Sequence, residues 1–233
     1  ITRGDGHYGI RVMFYRAFLL YGVVGDENYH YKPLAKTLLA ELQEATGVET
    51  VNRAHFGYTV DKGQAVLQKD LEGGMVSHFA VIEFGGNECD FNWPEVAQSP
   101  EAVHAPHTPL EKFLGTVTQM TQTLKEKGIQ PVLMSLPPLD AQRYLNFIGR
   151  LGSDTAKILH WLGDVNRIYR YQEMYSNQIA KLARKLSLPL IDVRTRFLER
   201  RDCGQLIARD GIHLTEAGYR LLLDECRREM ASL

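Results

Sequence analysis

The stretch Phe79-Ala-Val-Ile-Glu-Phe-Gly-Gly-Asn87 decides the fold class, because an apolar run leads directly into a glycine turn and a polar side chain. The run Phe79–Phe84 is typical of a buried strand in a parallel sheet. Gly85 and Gly86 allow the chain to turn sharply and allow backbone to approach a ligand closely. Asn87 then follows the carboxyl end of the strand, where open α/β sheets bind their ligands. Its side-chain amide could donate into a cleft there.

Four further apolar runs predict parallel strands, and amphipathic helical patterns alternate with them. The predicted strands are Ile10–Tyr15, Glu49–Asn52, Gln130–Leu136 and Leu188–Val193. The predicted helices are Pro33–Thr46, Leu110–Lys127, Tyr169–Leu186 and Thr215–Met230, the last with Thr215 as its N-cap. Such alternation predicts a parallel α/β sheet covered by helices on both faces. Two segments exceed the length of a simple connection and are candidates to cover a site: Cys89–Pro109 and Pro137–Arg167.

The composition predicts one soluble globular domain spanning residues 1–233, with 44% apolar and 24% charged residues. A formal net charge of −1 gives no indication of nucleic-acid or acidic-membrane binding. No apolar run reaches membrane-spanning length. The three cysteines (Cys89, Cys203 and Cys226) are an odd number without paired spacing, which argues against a disulfide framework. We therefore expect a cytoplasmic protein, although a processed signal peptide would leave no trace here.

The strongest local signal for chemistry is Asp210-Gly-Ile-His213, followed by Leu-Thr-Glu-Ala-Gly218. An aspartate three residues before a histidine can turn back and accept the Nδ1–H, which fixes the tautomer and lets Nε2 act as a base. Taken alone, the pattern also fits a helix cap or a solvated histidine. A weaker signal is Gly57, which ends the stretch that begins at Asn52 after the second predicted strand and could offer a backbone N–H.

In this order and at these strand ends, the three blocks resemble the SGNH or GDSL-type hydrolase family of lipases and esterases. The resemblance implies a three-layer α/β/α fold with a five-stranded parallel sheet of the flavodoxin-like kind, and ester hydrolysis as the parent activity. It also implies roles by position. Gly57 and Asn87 would complete an oxyanion hole, and Asp210 and His213 would serve the nucleophile.

The first block departs from the family, whose first strand runs into Gly-Asp-Ser. Here the strand Arg11–Tyr15 runs into Arg16-Ala-Phe-Leu-Leu-Tyr-Gly22. In the family a glycine follows a few residues after this serine. If Gly22 is that glycine, Phe18 stands in the place of the serine. A rival alignment through Gly25-Asp-Glu27 needs a longer strand and puts Glu27 there instead. Neither alignment supplies a serine.

A phenyl ring cannot attack a carbonyl carbon, so the serine route to an acyl-enzyme is closed. Because Asp210, His213 and Asn87 remain while the whole turn is replaced, the pattern favours a rewritten active site, as in an engineered variant; a natural pseudo-enzyme would have the same pattern. His213 would then be the base or the nucleophile. The predicted apolar wall, for an aromatic substrate, is Phe18, Leu19 and Leu20. Arg16 could bind an anion or point to solvent, and Glu88 could bind substrate or act as a base if it points into the cleft rather than capping a helix or facing solvent.

Two hypotheses remain at this point. One is an esterase-like enzyme with altered activity, and the other is a catalytically inactive small-molecule-binding or scaffold protein. The expected partner in both is a small-molecule substrate or ligand, and the oligomeric state is left open. His104 and His107 have no obvious third ligand, so no metal is expected. The chain has neither a Gly-x-Gly-x-x-Gly motif nor a Walker loop, so no cofactor is expected either.

Overall fold

A computed structural model of the protein describes residues 9–16, 23–25, 28–34, 37–53 and 57–232, without the side chains of Arg16 and Val23. Its strands are β1 (Arg11–Arg16), β2 (Val23–Gly25), β3 (Tyr31–Pro33), β4 (Glu49–Asn52), β5 (Phe79–Glu83), β6 (Gln130–Met134) and β7 (Leu190–Ile191). Five of them form a parallel sheet in the order β4-β1-β5-β6-β7, and β2 and β3 form a separate antiparallel pair. The predicted five-stranded parallel sheet is confirmed.

Helices lie between the strands from β3 onward and after β7. They are α1 (Leu38–Thr46), α2 (Val60–Glu72), α3 (Trp93–Gln98), α4 (Leu110–Glu126), α5 (Ala141–Arg150), α6 (Thr155–Leu162), α7 (Asn166–Lys185), α8 (Val193–Leu198), α9 (Cys203–Leu206) and α10 (Glu216–Met230). The helix predicted to start at Thr215 is confirmed, because the Thr215 hydroxyl accepts the Gly218 N–H at 3.3 Å. Within these ranges, no helix is both long and apolar enough to cross a membrane.

Strand β1, between β4 and β5, packs into a different hydrophobic cluster on each face, as the alternation of side chains along a strand requires. Met13 and Tyr15 join the cluster beneath α2, α4 and α7. Val12 and Phe14 join the cluster beneath α1, α8 and α10. The sheet is therefore the middle layer of an α/β/α arrangement.

The register brings the carboxyl ends of three strands together at one edge of the sheet. Arg16 at the end of β1 pairs with Glu83 at the end of β5. Phe14 pairs with Asn52, the last residue of β4. The loops after β4 and β5, which contain Gly57 and Asn87, therefore start side by side.

The two long segments form a third hydrophobic cluster beside this edge, which we call the aromatic lobe. It packs side chains from α3, α5, α6 and the start of α7 with the chain before α3: Phe91, Trp93, Val96, Ala97, Ala141, Tyr144, Leu145, Ile148, Ile158, Leu162 and Ile168. Helices α3, α5 and α6 were not predicted individually. The lobe has its own core and lies next to the site, as the segment lengths suggested.

Several predicted boundaries were wrong for local physical reasons. The first helix begins at Leu38 rather than Pro33, because Pro33 belongs to β3 and the Thr37 hydroxyl caps the helix by accepting the Ala40 N–H at 3.2 Å. Strand β7 ends at Ile191 because the Asp192 carboxylate caps α8, accepting the Thr195 N–H at 3.2 Å. Helix α2 was not predicted at all.

Candidate active site

The Asp210–His213 pair has the geometry that the motif predicted. His213 Nδ1 is in short hydrogen-bonding contact with Asp210 Oδ2. The other carboxylate oxygen, Oδ1, accepts the backbone N–H groups of Ile212 and His213, both at 3.0 Å. Burial raises the pKa of Asp210, but its hydrogen bonds, chiefly from His213, outweigh burial and bring the pKa down to about 2. Asp210 is therefore a carboxylate at neutral pH, and it orients the imidazole.

Gly211 allows the turn between these two residues. Its φ of +82° lies in the left-handed region, which side-chain-bearing residues rarely adopt. Its carbonyl accepts the Asp140 N–H at 2.8 Å, just before α5. On the other side, the Ala208 N–H donates to the His213 carbonyl at 2.8 Å. The loop that presents His213 is thus fixed by backbone hydrogen bonds on both sides.

The two loops proposed for the oxyanion hole are tied to each other. Asn87 Nδ2 donates to the Tyr58 carbonyl at 2.9 Å. An amide nitrogen carries two hydrogens, so this bond uses one and leaves the second as a donor. Gly57, next to Tyr58, has a φ of +69°, which lies in the left-handed region that favours glycine.

Glu88 connects the same two loops, and the structure corrects its predicted role in substrate binding. It is 0% exposed, and it is not among the described residues that line the cavity presented below. Its Oε1 accepts the N–H of Val60, the first residue of α2, at 2.5 Å, and its Oε2 accepts the Gly85 N–H at 2.7 Å. Burial raises the pKa of Glu88 to about 7. Glu88 is therefore a helix-capping group, the other role that the sequence allowed.

A cavity of about 200 Å³ opens at this edge of the sheet, and it brings the predicted residues together. Gly57, Asn87 and His213 all line it, with Asp210 buried behind His213. The remaining wall is mostly apolar and aromatic and comes largely from the aromatic lobe: Cys89, Phe91, Trp93, Leu136, Pro137, Leu139, Tyr144, Ile168, Tyr171 and Ile212, with Glu83, Gly86, Asp90 and Gln172. A histidine beside hydrogen-bond donors in an apolar pocket suits acyl-group chemistry.

Sequence reasoning missed Asp90, a carboxylate in the cavity wall. Its Oδ1 accepts the Trp93 Nε1–H at 2.8 Å, and its Oδ2 accepts the Tyr144 hydroxyl at 2.5 Å. These bonds brace two aromatic walls of the cavity against each other. The neighbouring Cys89 also lines the cavity, but burial raises the pKa of its thiol well above the usual value, which disfavours the nucleophilic thiolate.

Tyr31 on β3, which no sequence motif indicated, contacts both Asp210 and His213. Its hydroxyl donates to Asp210 Oδ2 at 2.6 Å. Its ring meets the His213 imidazole edge-on, with ring centroids 5.1 Å apart. No motif surrounds Tyr31, and 179 residues separate it from Asp210, so no signal in the sequence could have paired them.

The segment predicted to stand in the place of the family's Gly-Asp-Ser block falls mainly outside the described residues. Phe18, Leu19 and Leu20 lie there, as does Glu27 of the rival alignment, and only the backbone of Arg16 is described, at the end of β1. Of the two candidate first strands, β1 lies in the parallel sheet next to β5, whereas β2 forms an antiparallel pair with β3 among the residues that the structure describes.

Other candidates for chemistry are structural. Ser135 is buried, donates to Asp192 at 3.0 Å and accepts the Arg194 N–H at 3.0 Å, and it does not line the cavity among the described residues. In the part of the chain that the structure describes, no three His, Cys, Asp or Glu side chains are grouped to hold a metal ion.

Comparisons with known proteins agree with this geometry. The model of the GDSL-like lipase/acylhydrolase family matches residues 21–221, a range that begins after β1. The isoamyl acetate-hydrolyzing esterase of Saccharomyces cerevisiae is 24% identical over 225 residues, covering 91% of this chain and 85% of that protein. The GDSL esterase/lipase WDL1 of rice (Oryza sativa subsp. japonica) is 23% identical over 180 residues, covering 76% of this chain but only 63% of that protein, less than two thirds of its length.

Solved structures support the fold. A lipase/acylhydrolase from Enterococcus faecalis superposes with a TM-score of 0.64 at 15% identity, covering 96% of both chains. A catalytic mutant of an acetylxylan esterase from Geobacillus stearothermophilus superposes with a TM-score of 0.66 at 16% identity, covering 95% of this chain and 94% of that one. The family match, the sheet order and the paired Asp210 and His213 lead to one conclusion: the chain belongs to the GDSL-like lipase/acylhydrolase family.

Proposed function

We propose that this chain is an SGNH-type hydrolase without a serine nucleophile, in which His213 acts as a general base for slow hydrolysis of small esters. The observation that carries the proposal is that His213 lines one cavity with Gly57 and Asn87. A base and two hydrogen-bond donors around one small apolar pocket are the groups that acyl transfer needs. The relatives described as esterases and acylhydrolases support the same reaction class.

The sequence itself supports the loss of the serine route. No serine precedes Ser77, so neither alignment of the first block can contain one. Ser77 does not rescue the motif, because it precedes β5 and its hydroxyl donates to backbone carbonyl oxygens there. Water is then the nucleophile that remains available to a base at the cavity wall.

The proposed reaction balances with water as the only co-reactant. His213 takes a proton from water while the oxygen attacks the ester carbonyl carbon, and Asp210 stabilises the imidazolium that forms. Asn87 and the Gly57 N–H would donate to the oxyanion of the tetrahedral intermediate. When the carbon–oxygen bond to the alcohol breaks, the imidazolium returns its proton to the leaving alcohol, which gives a carboxylic acid and an alcohol.

Replacing His213 tests the proposal directly. We expect His213→Ala to lower the hydrolysis rate of p-nitrophenyl acetate by about 100-fold, the usual contribution of a positioned general base. The matched control is His160→Ala, which removes a histidine that is 64% exposed and pairs with Glu101 on the surface. Equal rates for wild type and His213→Ala would show that any hydrolysis is adventitious and would end the proposal.

A fluorophosphonate probe separates this mechanism from an ordinary serine esterase. Such probes label an activated serine covalently, and general-base attack by water offers no serine to label. We expect no labelling of the wild-type protein under conditions where a serine esterase is labelled completely. Stoichiometric labelling, mapped to one residue by mass spectrometry, would reveal a nucleophile elsewhere in the chain.

A second candidate function is ligand binding without catalysis. It is favoured by the replaced first block and by a cavity whose walls are mainly apolar and aromatic. Saturable binding of a small aromatic ester, with no rate difference between wild type and His213→Ala, would select this function. The hypothesis that the site was engineered stays a prediction.

A further inference from the structure

Asp210 offers one carboxylate oxygen to two side chains. The Tyr31 hydroxyl donates to Asp210 Oδ2 at 2.6 Å, and His213 Nδ1 contacts the same oxygen. The other oxygen is occupied by two backbone N–H groups, of Ile212 and His213. Tyr31 and His213 therefore share the Asp210 oxygen on which the orientation of the imidazole depends.

The segment that carries Tyr31 is held in place independently of Asp210. Tyr31 pairs with Gly25 in the β2–β3 ribbon. Two residues earlier, the Tyr29 ring stacks on Phe147 of α5 with a centroid separation of 5.5 Å, and the Arg150 guanidinium lies 4.7 Å from the Tyr29 ring centroid. The Tyr31 hydroxyl therefore reaches Asp210 from a position that other contacts define.

We propose that Tyr31 is a positioning residue of the catalytic pair, which fixes the Asp210 carboxylate and limits the negative charge that this carboxylate offers to His213. The effect of Tyr31 on catalysis rests on the proposed function. The hydrogen bonds behind the inference involve only Tyr31, Asp210 and His213.

The direction of the effect follows from charge. A phenol that donates to a carboxylate withdraws negative charge from the shared oxygen, because the hydrogen bond stabilises the anion. The same oxygen stabilises the imidazolium when His213 takes a proton. With Tyr31 in place, Asp210 holds its own proton less readily and offers less negative charge to an imidazolium on His213.

Among the described residues, five other ionisable side chains line the same cavity as His213, from β5, the loop after it, α5 and α7: Glu83, Cys89, Asp90, Tyr144 and Tyr171. Tyr31→Phe leaves all five residues in place. A change in the titration of Asp210 on removing one phenol oxygen therefore reports that oxygen.

NMR of Tyr31→Phe tests the inference without any substrate. The phenylalanine keeps the ring against His213 and removes only the hydroxyl. We expect the pKa of the Asp210 carboxyl, followed by its carbon resonance, to rise by about one unit. We also expect the His213 Nδ1 proton to move downfield, because its hydrogen bond to Asp210 strengthens. A residue with a purely structural role would move neither signal.

Tyr29→Phe is the matched control, because it removes a phenol oxygen from the same segment while keeping the stacked ring. Both signals should match wild type in this variant. Identical Asp210 titrations and Nδ1 proton shifts in wild type and Tyr31→Phe would overturn the inference. If His213→Ala leaves ester hydrolysis unchanged, the proposed function fails on its own, and the NMR result for Tyr31 still decides this inference.

Discussion

Gly211→Ala is expected to lower the free energy of unfolding by about 4 kcal/mol and to abolish any His213-dependent activity. A left-handed φ costs a non-glycine residue about 1–2 kcal/mol. In addition, a β-carbon at Gly211 would lie 2.4 Å from the Asp140 carbonyl oxygen and 2.5 Å from the Tyr144 nitrogen, both backbone atoms. The start of α5 would have to move away, breaking the hydrogen bond from Asp140 and displacing His213. Urea unfolding followed by circular dichroism measures the loss.

Gly163→Ala is the control for backbone strain alone. Gly163 ends α6 with a φ of +74°, close to that of Gly211, and a β-carbon there meets nothing within 4 Å. We expect a loss of only about 1–2 kcal/mol and unchanged activity. If the two variants lost the same free energy, the close approach of α5 to Gly211 would not matter to stability.

Glu88→Ala is expected to lower the free energy of unfolding by about 3–5 kcal/mol at pH 5. The change leaves the buried N–H groups of Val60 and Gly85 without acceptors, at about 1–3 kcal/mol each, and opens a cavity at the start of α2. Glu95→Ala is a control that removes a glutamate from an exposed position in α3. Because Glu88 joins the loops of Gly57 and Asn87, we also expect weaker binding of any ester to this variant.

The loss caused by Glu88→Ala should become smaller as the pH rises. Burial raises the pKa of Glu88 to about 7 in the folded protein, above the ordinary value of 4.5 that applies to the unfolded chain. The contribution of a group with a raised pKa is complete below its unfolded value and declines as the pH rises through its folded value. Unfolding measured at pH 5 and pH 8 tests the sign, and a larger loss at pH 8 would contradict it.

Much of the fold was predictable because the inner strands β1, β5 and β6 contain continuous apolar runs. A parallel strand buried on both faces needs apolar side chains at every position, so β5 and β1 are visible in the sequence without knowledge of their partners. The boundaries were less predictable, because they depend on single capping side chains such as those of Thr37 and Asp192. Helix α2 was missed partly because Gly63 interrupts its pattern. The structure explains that glycine: the Phe84 ring occupies the space where a β-carbon would lie, 2.2 Å away.

The site was predictable where its chemistry is local in sequence. Asp210 and His213 are three residues apart, and Asn87 follows the glycine turn after β5, so short motifs marked these residues and the family resemblance implied their roles. Tyr31 and Asp90 act through contacts between distant segments, which spacing cannot indicate. The role of Glu88 was not predictable from spacing either, because whether its carboxylate faces a cleft or caps a helix depends on where α2 begins.

The aromatic lobe and the edge of the sheet contribute different walls of the cavity. The groups assigned to the reaction stand on the edge of the sheet, while the lobe supplies most of the opposite wall from a cluster with its own core. Lobe residues such as Trp93 and Tyr144 line the cavity without belonging to the hydrogen-bonded Asp210–His213 pair. The same side chains are buried in the packed core of the lobe, so replacing one of them changes the shape of the cavity at the stability cost of a core substitution. The shape of the cavity and the stability of the fold therefore depend on the same side chains.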